Sequence, residues 1–144
     1  MPAIRIRNLR ASDYRAVLDV FSRSGIGPKP KGRDSRAAFQ DQLRAPSNIY
    51  LGAFEGTRLV GTVLGTHDTR KGWVNRLAVL PEFQRRGIGS RLVRACERGL
   101  RKRGMRMFAA LIDTDNAGSE ALFRKLGYEV GTILYARKKR FRDI

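Results

Sequence analysis

Between Ala78 and Ser90 an apolar strand segment passes into a glycine-opened helix, through Val79, Leu80, Pro81, Glu82, Phe83, Gln84, Arg85, Arg86, Gly87, Ile88 and Gly89. Such a junction presents the helix entrance, whose first main-chain N–H groups have no intrahelical acceptor and carry the positive end of the macrodipole. An anion placed there answers both. Gly87 and Gly89 lack a Cβ and so permit close approach to the main chain, while Arg85 and Arg86 add positive field. The bland reading is that the glycines end a strand and the arginines sit in solvent. The strand before and the amphipathic helix after are the context that a phosphate-binding loop requires.

Apart from this junction, 144 residues with 42% hydrophobic content suit a single domain, residues 1–144, with one core. One cysteine, Cys96, forms no internal disulfide, which fits a reducing compartment. The amino end carries Arg5, Arg7 and Arg10 without an apolar stretch behind them, and no segment has membrane-spanning length. The expectation is a cytoplasmic protein that does not engage membranes. Thirty basic against thirteen acidic residues give a formal charge of +17, which expects negative company: a polyphosphate cofactor, an acidic protein, the ribosome or nucleic acid. A uniformly basic proteome produces the same bias with no particular partner.

Alternation of Ile and Arg over Ala3–Leu9 predicts a strand, and Ser12 an N-cap for a helix carrying Ala16, Val17, Val20 and Phe21. Residues 25–33, rich in Gly, Pro and Lys, read as a mobile basic loop. Asp34 or Ser35 caps a helix through Leu43, followed by an antiparallel meander of Asn48–Glu55, Leu59–Thr66 and Trp73–Leu80. Ile88, Leu92, Cys96 and Leu100 line one face of the next helix and Arg91, Arg94, Arg98 and Arg101 another, so Cys96 is expected to be a packing residue. Met105–Ile112 reads as a buried strand completing a parallel crossover, Ala117–Leu126 as a last helix, and Tyr128–Phe141 as one or two final strands. Residues 137–144 form a basic end.

This order of elements, with Leu77-Ala78-Val79, Gln84-Arg85-Arg86-Gly87-Ile88-Gly89 and Asn116 through Leu126-Gly127-Tyr128, resembles the GNAT superfamily of acetyl-CoA-dependent N-acetyltransferases, in particular its small stand-alone bacterial and archaeal members. The resemblance covers nearly the whole chain and is strongest from Trp73 to Glu129. It implies an α/β (α+β) fold with a central mixed, mostly antiparallel sheet of six to seven strands flanked by about four helices. It implies acetyl-CoA as cosubstrate, no metal, and transfer of the acetyl group to a primary amine of a small molecule or of a protein or peptide α-amine. The coenzyme A pyrophosphate would lie on the backbone amides of Arg85, Arg86, Gly87, Ile88, Gly89 and Ser90, and the pantetheine arm along the strand, with backbone contacts from Leu77 and Val79; Gln84 and Ala78 complete the expected cofactor site. Asn116 matches the asparagine that bonds this arm in relatives, although an Asp-Asn pair before a helix is also an ordinary cap.

Two positions depart from the pattern. Phe123 stands where many relatives carry a tyrosine acid, and Trp73 where several carry a glutamate base. That leaves Glu82, Asp68 and His67 as candidate proton acceptors and Tyr128 and Tyr135 as candidate donors, each with a structural alternative. A lysine acceptor, with pKa about 10.4, loses its proton at pH 7 at a cost of roughly 4–5 kcal/mol, an α-amine near 8 at about 1 kcal/mol. A site without a strong base therefore suits the α-amine. The lysines of the 25–33 loop would attract an acidic acceptor, and homodimers are common among such relatives. The competing reading is a catalytically impaired basic module that binds acyl-CoA, RNA or the ribosome; the intact loop favours the enzyme.

Overall fold

The computed structural model describes residues 2–142 and 144. A five-stranded sheet runs in the order of the sequence: β1 (Ile4–Asn8), β2 (Ile49–Glu55), β3 (Arg58–His67), β4 (Gly72–Val79) and β5 (Phe108–Ala109). The first four are antiparallel neighbours, and β5 lies parallel to β4, joined by the crossover helix α3 (Ile88–Lys102). Helices α1 (Tyr14–Arg23), α2 (Arg36–Arg44) and α4 (Ala117–Lys125) complete the fold.

The meander and α3 form where their periodicities place them. Ile88, Leu92, Val93, Cys96 and Leu100 are buried against the sheet, and the sheet meets them with glycine. A Cβ on Gly65 would lie 2.7 Å from Cys96 Sγ, and one on Gly72 2.7 Å from Leu100 Cδ1. The helix thus sits closer to the strands than larger residues allow. Burial pushes the Cys96 thiol up to about 12, which makes it a packing group.

Four expectations are corrected. Among the described residues the sheet has five strands, not six to seven. Tyr128–Phe141 forms neither strand nor helix, and Ile133 and Leu134 stand 93% and 97% exposed. Period-two patterning needs a partner edge, and β5 offers only two paired residues. Met105–Ile112 is strand only at Phe108–Ala109, with Met107 and Leu111 exposed. Ser12 does not cap α1: it lies inside a short 3-10 turn, Ala11–Asp13, because the Asp13 carboxylate takes the Arg10 N–H at 2.7 Å and the Arg7 guanidinium at 2.9 Å.

Of the two candidate caps before α2, Ser35 does the capping, its Oγ accepting from Ala38 N–H at 3.1 Å. Asp34 is turned inward instead. Its carboxylate accepts from Lys29 N–H at 2.7 Å and from Arg76 at 3.0 Å, and its carbonyl accepts from the Tyr14 hydroxyl at 2.6 Å. The glycine- and lysine-rich segment before α2 is thereby joined to the middle of the sheet.

Candidate active site

At the helix entrance expected to hold an anion, the backbone turns through two left-handed residues before the helix begins. Arg85 and Gly87 both adopt left-handed backbone, with φ of 64° and 78°. The helical ladder begins only with Arg91 N–H donating to Gly87 O at 3.1 Å. The main-chain N–H groups from Arg85 to Ser90 precede it and have no acceptor among the described residues. Gly87 opens on free space, whereas a Cβ at Gly89 would point away from the loop, 3.2 Å from Leu122 Cδ2. The two glycines thus have different reasons: backbone conformation and access at Gly87, packing of α3 on α4 at Gly89. Gln84 ties the loop down, its amide donating to Val79 O at 3.1 Å. Arg85 and Arg86 are exposed beside it, the Arg86 guanidinium 5.0 Å from the Phe83 ring centroid.

The strand leading into this loop is irregular. Thr62 pairs with Ala78 and Leu64 with Asn75, so β4 carries one residue more than β3 between these pairs. Arg76, at φ 53°, and Leu77 form the bulge, and the Thr62 hydroxyl donates to the Arg76 carbonyl at 2.9 Å. On its other edge β4 pairs with β5 only through Gly72 and Trp73. From Val74 to Val79 that edge has no neighbouring strand among the described residues, so β4 and β5 part in a cleft running toward the loop.

Beside this cleft lies a cavity of about 560 Å³, lined by Thr66, Trp73, Asn75, Leu111 and Tyr135 with the rest of the Ile133–Ala136 segment. None of its lining residues is charged. The Asn75 amide donates to Thr66 Oγ1 at 3.1 Å.

The candidate proton carriers are dispersed. Glu82 is clasped by Arg23 at 2.6 Å and Arg58 at 3.0 Å. Partial desolvation works against its charge, but the Arg23 hydrogen bond and the two guanidinium charges hold the carboxyl below its usual range. Asp68 accepts from Lys71 and Arg70 N–H in the β3–β4 turn, and those bonds lower its pKa. His67 Nδ1 accepts from Thr69 N–H at 3.1 Å in the same turn. The Tyr128 hydroxyl donates to Glu97 at 2.6 Å, and burial together with that carboxylate pushes its pKa up. A base in an ion pair, a base in a turn and an acid whose proton is held by a carboxylate are poorly suited to proton transfer. Tyr135 alone of the candidates lines the cavity.

Asn116 caps α4, its Oδ1 accepting from Ser119 N–H at 3.0 Å, which leaves its NH2 uncommitted within the described chain. Phe123 is buried edge-on to Tyr128, ring centroids 4.9 Å apart. Trp73 sits on β4 beneath Lys71, whose ammonium is 4.7 Å from the ring. Among the described residues, no three of His, Cys, Asp or Glu gather as a metal set, and no helix is long and apolar enough to cross a membrane. The sequence reading gave no role to Arg76 or Thr62 and read Asp34 only as a candidate helix cap. Its available signal was the lapse of alternation at Asn75-Arg76-Leu77, where three successive residues are neither fully buried nor fully exposed.

Residues 5–128 match the model of the acetyltransferase (GNAT) family, and the chain belongs to that family. Its fold is similar to that of the PaiA N-acetyltransferase of Thermoplasma acidophilum in complex with coenzyme A, at TM-score 0.81 and 21% identity over 90% of this chain and 91% of that one. It is similar also to aminoglycoside N-acetyltransferase AAC(6')-Iy in complex with CoA, at 0.84 and 19% over 98% and 97%. A third similar structure is the ribosomal-protein-S18-alanine N-acetyltransferase of Escherichia coli, at 0.75 and 21% over 90% and 80%.

Proposed function

We propose that this protein transfers the acetyl group of acetyl-CoA to a primary amine by direct attack. The observation that carries the reading is the row of unsatisfied N–H groups from Arg85 to Ser90 at the end of a strand whose outer edge is free. The N–H row suits the pyrophosphate of coenzyme A, with Arg85 and Arg86 adding charge. The free edge at Leu77, Ala78 and Val79 suits the amide-bearing pantetheine arm, which pairs as an added strand would. Asn116, whose NH2 is uncommitted, would bond the same arm. The structures of similar fold named for coenzyme A complexes support this choice of donor.

In this reading a main-chain N–H of the bulge at Arg76–Leu77 faces the charge that develops on the thioester oxygen, and the Asp34 ion pair and Thr62 hydroxyl hold the bulge in shape. The acceptor amine occupies the uncharged cavity between Asn75 and Tyr135. No carboxylate lines that cavity, so the amine arrives neutral rather than being deprotonated there. This favours an α-amine or another amine of lowered pKa over a lysine side chain. Thiol release from acetyl-CoA, measured against a panel of amines between pH 7 and 9, tests the reading. An α-amine should exceed a lysine side chain by about a hundredfold at pH 7, and the gap should narrow as pH rises. A steeper fall for the α-amine than for lysine on going from pH 9 to 7 contradicts the acceptor assignment. Coenzyme A binding without thiol release for any amine leaves the catalytically impaired module.

A further inference from the structure

A second and larger cavity, about 910 Å³, lies between the outer side of α3, the β1–β2 edge of the sheet and the segment after α2. Its charged lining is entirely basic: Arg44, Arg91, Arg94, Arg98, Lys102 and Arg103, with Arg7 at one end and no Asp or Glu. Among the described residues only Arg7 of this set is in an ion pair, with Asp13 at 2.9 Å. Arg44 and Arg103 donate to main-chain carbonyls of Gln40, Pro46 and Gly99. Arg91, Arg94, Arg98 and Lys102 have no acidic partner among the described residues. Keeping so many like charges together without counter-charges is costly to the fold, and an external polyanion relieves it.

We propose that this groove binds the sugar–phosphate backbone of a single nucleic-acid strand, as a function separate from acetyl transfer. Arg94, Arg98 and Lys102 recur every four residues, a step of about 6 Å along the helix axis, so they form a straight row of cations suited to successive phosphates. Ala95 and Gly99 lie between them in the groove floor, where Ile49 packs so close that a Cβ on Gly99 would lie 2.5 Å from its Cδ1. The only aromatic side chain in the lining, Tyr50, is buried. The groove therefore has no stacking platform for bases, and recognition falls on phosphates without regard to sequence. Release of condensed counterions supplies the driving force, which a groove without a deep apolar anchor needs.

Fluorescence anisotropy of a labelled uridine homopolymer, titrated at several salt concentrations, reads this directly. The wild-type protein should bind with a steep salt slope. The triple variant Arg94→Gln, Arg98→Gln, Lys102→Gln should lower that slope by about 2, because each phosphate contact on a single strand contributes about 0.7. Thiol release should be unchanged, since none of the three belongs to the acetyl-transfer site. The charge-keeping variant Arg94→Lys, Arg98→Lys should retain the slope, which separates loss of charge from loss of fold. The tail variant Arg137→Gln, Lys138→Gln, Lys139→Gln should bind as wild type, and saturating coenzyme A should leave the strand bound. Equal binding by the groove variant and wild type overturns the proposal. So does displacement by coenzyme A, an equal loss in the tail variant, or equally tight binding of polyglutamate, which would make the partner an acidic protein.

Discussion

At the scale of single residues, Gly87 and Asp13 carry the sharpest consequences. Gly87 combines a φ of 78° with open space around its missing Cβ, so Gly87→Glu costs the fold only about 1 kcal/mol of backbone strain. At the proposed site it sets a carboxylate among the N–H groups meant for phosphate. Calorimetric titration should show coenzyme A affinity falling by at least about tenfold, or about 1.4 kcal/mol, with the melting temperature little changed. Unaltered affinity would remove the loop from the site. The Asp13 carboxyl is partly desolvated, which opposes its charge, yet bonds from Arg7 and the Arg10 N–H hold its pKa below the ordinary 3.8. A depressed carboxylate stabilises the fold above its unfolded pKa, and that contribution is lost as pH falls through the lower, folded value. Asp13→Asn should therefore cost about 1 kcal/mol at neutral pH, as loss of a helix-entrance bond does. Denaturant titrations should show the difference from wild type closing below pH 3.8.

At the scale of elements, the bulge in β4 depends on a contact remote in sequence. Arg76 reaches Asp34 at 3.0 Å and lies 5.2 Å from the centre of the Phe21 ring, on α1. Asp34→Ala leaves that guanidinium without its partner and frees the Lys29 N–H. A destabilisation of about 2–3 kcal/mol is expected, at the lower end for buried pairs because Arg76 keeps some contact with water. Chemical denaturation measures it, and thiol release should fall further than stability alone accounts for. The same element shows why the sequence was readable in part. Strands β2 and β3 are almost wholly buried, and α3 buries one face, so hydrophobic pattern and structure coincide. The loop at Gln84–Ser90 was legible because glycine, strand and helix all lie within a dozen residues. The bulge was not, since a left-handed arginine is dictated by Asp34 and Thr62, neither of which lies near it in sequence. The stretch after Tyr128 was misread for the opposite reason: its alternation is real, but no edge receives it.

At the scale of the whole molecule, a charge of +17 on 144 residues makes the compact state repel itself. Added salt should therefore raise the melting temperature by a few degrees as the Debye length shrinks from about 30 Å to about 8 Å, the opposite of what it does to phosphate binding. Differential scanning calorimetry between low and physiological ionic strength tests this, and a falling melting temperature would mean that attractive pairs dominate. The family and the meander follow from local signals, whereas the cavity beside β4 draws part of its lining from Leu111 and Ile133–Ala136, a long-range placement that no short motif encodes. The tether from Lys29 through Asp34 to Arg76 also bears on how such a protein diversifies. Insertions between Lys29 and Asp34 would pull the carboxylate off the bulge and spoil turnover, while length changes ahead of Lys29 leave that bond intact. Descendants adapting to new acceptors are accordingly channelled toward altering the first part of the segment and sparing the second.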